Sequence, residues 1–166
     1  IKGSTAQFRY GDAGKQPTSI VLTGLVTIQF PEMGTVSSDG AEMWPSEERI
    51  VFTGNVSGST EDIPEFSSDT LEYGPTALVL SGHVIVNPSK GIIHAGKASR
   101  DNATLDVTFT GHVKGKMSGN DLDDADEVTY NAESGRVHMK KFRLAEIANP
   151  QQAPSTSDKL RVEDVL

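Results

Sequence analysis

The stretch Leu78-Val79-Leu80-Ser81-Gly82-His83-Val84 decides how this chain folds, because its pattern occurs four times. Its counterparts are Ile20-Val21-Leu22-Thr23-Gly24-Leu25-Val26, Ile50-Val51-Phe52-Thr53-Gly54-Asn55-Val56 and Val107-Thr108-Phe109-Thr110-Gly111-His112-Val113. Their glycines are separated by 30, 28 and 29 residues. A fifth, degenerate copy, Val137-His138-Met139-Lys140-Lys141, has lost the Gly and the Val. A constant period of this length marks one supersecondary unit used repeatedly.

Each copy reads as a strand, with apolar residues alternating with polar or mixed ones. In the first copy Ile20, Leu22, Val26 and Ile28 share one face, and the repeat glycine lies on it. Glycine inside a strand marks a bulge, a bend or a close backbone approach. Recurring at one strand position, it would curve a whole sheet. A second motif lies between the copies: Ser67-Ser68-Asp69-Thr70-Leu71-Glu72-Tyr73 resembles the stretches that start at Ser37 and at Asp123. Turn clusters such as Gly74-Pro75-Thr76 and Asn131-Ala132-Glu133-Ser134-Gly135 then lead to the next strand. No amphipathic helix of three turns is expected within residues 19–144.

The chain has 166 residues, which suits one domain, and no cysteine, which removes disulfides, thiolate metal sites and cysteine nucleophiles together. Its net charge of −8 argues against nucleic acid, whose backbone must meet clustered cations. The charge is unevenly divided: residues 1–83 hold 4 basic and 11 acidic side chains, residues 84–166 hold 11 and 12. The division expected is a polar segment or first strand at 1–18, a β domain at 19–144, and a flexible tail at 145–166. The tail has the linker composition Asn149-Pro150-Gln151-Gln152-Ala153-Pro154. The first residue is Ile1, and a targeting or anchoring segment is expected upstream of it.

Strands ending in Thr/Ser-Gly-x-Val, each preceded by Asp-x-Leu-x-Tyr and a turn, resemble the OstA-like β-jellyroll proteins of lipopolysaccharide transport, the LptC and LptA families. The resemblance spans roughly residues 18–143 and is densest at 68–116, with Asp69-Thr70-Leu71-Glu72-Tyr73, Gly91-Ile92-Ile93-His94-Ala95-Gly96 and Phe109-Thr110-Gly111-His112-Val113-Lys114-Gly115. It implies an all-β fold: a single antiparallel, boat-like β-jellyroll, here built from strand-pair repeats of about 29 residues. It also implies a periplasmic protein that carries lipid acyl chains in a hydrophobic groove. Its partners would be lipopolysaccharide or a related glycolipid, neighbouring jellyrolls joined by edge-strand pairing, and the inner-membrane ABC transporter complex. The passages at 91–96 and 113–115 favour the LptC type, held in the inner membrane by an N-terminal helix, over the soluble LptA type. A repetitive structural or adhesive β module without a ligand is the alternative from another class.

The residues fit a carrier on physical grounds too. Each acyl CH₂ taken from water is worth about 0.8 kcal/mol, so a carrier needs a matching apolar lining. Ile20, Leu22, Val26, Ile50, Phe52, Val56, Leu78, Leu80, Val84, Val107, Phe109 and Val113 are the candidate lining, and the same face could equally be a closed core. Val137, Met139, Lys140, Lys141, Phe142 and Arg143 are the candidate docking edge. Their charges would either stop uncontrolled edge pairing or meet lipid phosphates. The later basic group Lys90, Lys97, Lys114 and Lys116 is open to the same two readings.

His83 and His112 hold equivalent places in consecutive repeats and read as surface residues in phase with Asn55, without a metal. Asp121-Leu122-Asp123-Asp124-Ala125-Asp126-Glu127 reads as a solvated acidic turn. A calcium loop would need Asp or Asn where Ala125 stands, Gly where Asp126 stands and Glu where Ala132 stands. No nucleophile elbow, zinc helix or phosphate loop occurs, and no enzymatic activity or cofactor is expected.

Overall fold

The computed structural model describes residues 2, 4–11, 16–30, 34–59, 65–88, 91–117, 119–131, 134 and 136–140. These form one antiparallel sheet of ten strands: β1 (Thr5–Tyr10), β2 (Pro17–Phe30), β3 (Gly34–Trp44), β4 (Arg49–Gly58), β5 (Glu65–Tyr73), β6 (Ala77–Asn87), β7 (Ile92–Asp101), β8 (Asp106–Met117), β9 (Asn120–Asn131) and β10 (Val137–Lys140). Spatial order equals chain order, so every strand pairs only with its sequence neighbours. The repeat strands are β2, β4, β6 and β8. The second motif supplies β3, β5 and β9, and the passage at 91–96 opens β7.

Each long strand breaks at its middle. The register between neighbours shifts between Thr23 and Val26, Thr53 and Val56, Ser81 and Val84, and Thr110 and Val113. The repeat glycines sit in these gaps with φ of 80, 75, 74 and 80°, a left-handed conformation that side chains resist. So the repeat glycine is a bulge, and its bend falls at one line across the sheet. Opposite that line each repeat valine faces a small residue: Val26 pairs Ser38, Val56 pairs Ser68, Val84 pairs Ala95 and Val113 pairs Ala125. Ser38 and Ser68 each bridge the bulge with a hydroxyl bond to the carbonyl two residues on, Gly40 O at 2.8 Å and Thr70 O at 2.9 Å.

The line is a crease on which the sheet doubles over. Phe30 and Tyr73 lie at opposite ends of their strands, level with Gly34 and Met43 on β3. In a flat sheet those levels would be about 30 Å apart. Yet the two rings meet with centroids 5.6 Å apart, and Phe30 also meets Phe52 at 6.2 Å. The half of each strand carrying Phe30 therefore folds back over the half carrying Tyr73. Both halves turn their apolar face inward, giving a single core that includes Leu22, Val36, Phe52, Phe66, Leu80, Ile93, Phe109 and Val128.

Along the lip that carries Tyr73, consecutive hairpins are tied together. Asn102 Nδ2 donates to Gly74 O at 3.0 Å, and Asn131 Nδ2 donates to Thr104 O at 3.1 Å and Asp106 Oδ1 at 2.6 Å. The loop after β7 is closed by Asp101, whose Oδ1 accepts the backbone N–H groups of Ala103 and Thr104, both at 2.8 Å. Those bonds, from Thr104 and then Ala103, hold the Asp101 carboxyl below its ordinary pKa.

The acidic run 121–127 corrects one expectation. It is not a turn but part of β9, because Leu122 and Ala125 are buried at 4% and 1% exposure and carry the core across it. A bulge at Asp124 (φ 56°) breaks the strict alternation that would have revealed the strand.

Candidate functional site

Residues directly opposite in an antiparallel pair share a face, so the pairing defines the concave lining. One row runs unbroken through all ten strands: Ala6, Leu22, Ala41, Phe52, Leu71, Leu80, Ala98, Phe109, Val128 and Met139. Large and small side chains mix along it, which lets two facing layers interdigitate. A parallel row at the lip begins with Phe8, Ile20, Met43, Ile50 and Tyr73 on β1 to β5 and ends with Tyr130 and Val137 on β9 and β10. On the other side of the crease Ile28, Val36, Phe66, Val86, Ile93 and Leu122 form a third row.

All twelve candidate lining residues stand on this concave side. Leu22, Val26, Phe52, Val56, Leu78, Leu80, Val84, Val107, Phe109 and Val113 are buried, while Ile20 and Ile50 pack against them at the lip. The repeat pointed to the even-numbered strands only. Val36, Ala41, Phe66, Leu71, Ile93 and Val128, from the strands between, line the same space. The alternation of Leu71 and Tyr73 carried part of that signal, whereas Phe66, five residues before Leu71, reaches the same face only through the register shift between Ser67 and Thr70. The face is closed on its own side chains, with Phe52 and Leu80 both at 0% exposure.

The ends of the sheet differ from its middle. At β1 the concave face carries Phe8, 54% exposed, and at β10 it carries Val137 and Met139, 39% and 44% exposed. Among the described residues neither terminal strand has a partner on its outer edge. Of the candidate docking residues, Val137, Met139 and Lys140 are exposed on β10. Lys141, Phe142 and Arg143 lie outside the described residues, as do Lys90 and the tail from residue 145.

The convex side of the crease is polar. Asn55, His83 and His112 follow the repeat glycines and each takes a left-handed conformation. Each is held by an aspartate of a neighbouring strand: Asn55 Nδ2 donates to Asp39 of β3 at 2.8 Å, His83 Nδ1 meets Asp69 of β5 at 2.8 Å, and His112 Nδ1 meets Asp124 of β9 at 3.0 Å. Both imidazoles are exposed, as the phase with Asn55 implied. Among the described residues no group of three His, Cys, Asp or Glu side chains is placed to hold a metal ion. Lys114 and Lys116 also lie outside, 3.8 Å from Asp124 and Asp121.

A single antiparallel sheet creased on a line of glycines, apolar within and open at both terminal strands, has a counterpart among solved structures. The fold is the LptA-like β-jellyroll. The chain is similar to the crystal structure of LptH, the LptA-homologous periplasmic component of the lipopolysaccharide transport device of Pseudomonas aeruginosa, with a TM-score of 0.56. The match covers 70% of this chain and 87% of LptH at 13% identity, so the likeness is one of architecture. No protein-family model and no curated protein sequence matches the chain.

Proposed function

We propose that this chain is a periplasmic lipid carrier, binding the acyl chains of lipopolysaccharide or a related glycolipid on its concave face and passing them between jellyrolls joined at their edges. The observation that carries the reading is the apolar row that crosses all ten strands and ends exposed at both sheet edges. A closed core has no use for apolar side chains left bare at its two ends, whereas a conduit continued by neighbours does. The reading needs no catalysis. Edge pairing through β10 is the proposed docking contact, with the transporter complex or another jellyroll as partner. LptC-type placement at the inner membrane would require an anchoring helix upstream, and LptA-type placement a cleaved signal. Fractionation of the native protein separates these.

Because the lining is packed in the free protein, lipid entry requires the two layers to part at the lips. A photocrosslinking residue at Phe52, Leu80 or Phe109, in cells making lipopolysaccharide, is expected to yield lipid adducts. A control at exposed Lys97 is expected to yield none. Silence at all three interior positions in a folded protein would leave the alternative, a β module with no ligand.

A further inference from the structure

The lip row holds one residue that an apolar lining does not require. Arg100 stands in register between Leu78 of β6 and Val107 of β8, both buried on the concave side. Outside the corner bulges, where pairing defines no face, it is the one charged residue that the described strands turn inward. A guanidinium in register with leucine and valine sets a fixed positive charge at the rim of an apolar lining. Arg100 is partly buried, and its Nε is shielded from solvent.

The same row places Tyr73 two strands to one side of Arg100 and Tyr130 two strands to the other. At about 4.8 Å per strand, each tyrosine position is roughly 10 Å from the arginine. Rings with polar tips mark a boundary between an apolar phase and water. The lip is also stiff here, since Asn102, two residues beyond Arg100, ties its hairpin to Gly74 and Pro75 of the hairpin before it. A charge on a braced rim beside an apolar lining is placed where the head group of an amphiphile would lie.

We infer that Arg100 fixes the anionic head group of the carried lipid, taking a phosphate on its guanidinium while the acyl chains lie along the concave row beneath it. This rests on the carrier reading and adds to it the residue that orients the cargo. The guanidinium fork matches phosphate oxygens in a bidentate way that an ammonium does not. Lys97, Lys114 and Lys116 are on the convex side and serve no lipid held within.

The test uses the full chain, its Arg100→Met and Arg100→Lys variants, and displacement of a bound fluorescent fatty acid. The probes are diphosphoryl lipid A, its dephosphorylated form, and phosphatidylglycerol. Arg100→Met is expected to weaken diphosphoryl lipid A about 10-fold, the scale of one charged hydrogen-bond contact, and to leave the dephosphorylated form unchanged. Arg100→Lys should fall between, and it carries the comparison should Arg100→Met fail to give a cooperative melt. A parallel loss for phosphatidylglycerol supports recognition of phosphate in general, and a loss for lipid A alone supports a phosphorylated sugar. Equal weakening of phosphorylated and dephosphorylated probes, or none, overturns the role of Arg100 while the carrier reading stands. Failure of the unaltered chain to bind any probe overturns both.

Discussion

At the scale of single residues, the crease depends on backbone conformation more than on side-chain contact. Gly82 and Gly111 have nearly the same φ, 74° and 80°, but different surroundings. An added Cβ at Gly82 would run into the Asp69 carboxylate that holds His83, whereas at Gly111 the nearest atom is Gly96 Cα at 3.4 Å. Gly111→Ala should therefore cost only the left-handed penalty, about 1–2 kcal/mol. Gly82→Ala should cost more, because Asp69 must also move. Urea denaturation checks this, with both midpoints falling at unchanged slope and Gly82→Ala falling further. Equal losses would mean that the aspartate contact adds nothing to the corner.

At the scale of elements, the two layers are fastened where the end of β2 meets the end of β5. Phe30 reaches Tyr73 and Phe52 across the fold, and no hydrogen-bonded pairing joins those elements. Phe30→Ala should destabilise by about 2–3 kcal/mol, less than a fully buried Phe because Phe30 lies at the lip. Hydrogen exchange should quicken at residues 26–30 and 70–73 and stay slow around Leu80 and Phe109. Uniform quickening would show that the lips do not open separately. Such strand-to-strand relations were only partly legible in the sequence. Four glycines at constant spacing announced the even-numbered strands and their bend, and alternation named half of the lining. The doubling of the sheet was not legible, because the contact of Phe30 with Tyr73 joins residues that no repeat relates. Nor was β9, whose acidic composition and bulge at Asp124 mask the two apolar residues that anchor it. Nor was the place of Arg100, which only its register with Leu78 and Val107 puts on the concave side.

At the scale of the whole molecule, the exposed concave residues at the two terminal strands set how it meets its neighbours. Replacing Val137 and Met139 with lysine leaves the buried core untouched and puts charge where an incoming strand would continue the lining. Chromatography with light scattering at rising concentration should show weaker association than the unaltered chain, at a melting temperature within a few degrees of it. Undiminished association would remove β10 from the docking surface. Spatial order that equals chain order has a consequence for how this architecture can vary in length. A Greek-key sandwich cannot accept a new strand pair without rethreading its connections. Here an additional unit of about 29 residues can be inserted at any hairpin, and only the strands on either side need to recognise it. Duplication in the gene would lengthen the molecule as one lengthens a chain by a link, and each inserted unit would bring its own share of the lining.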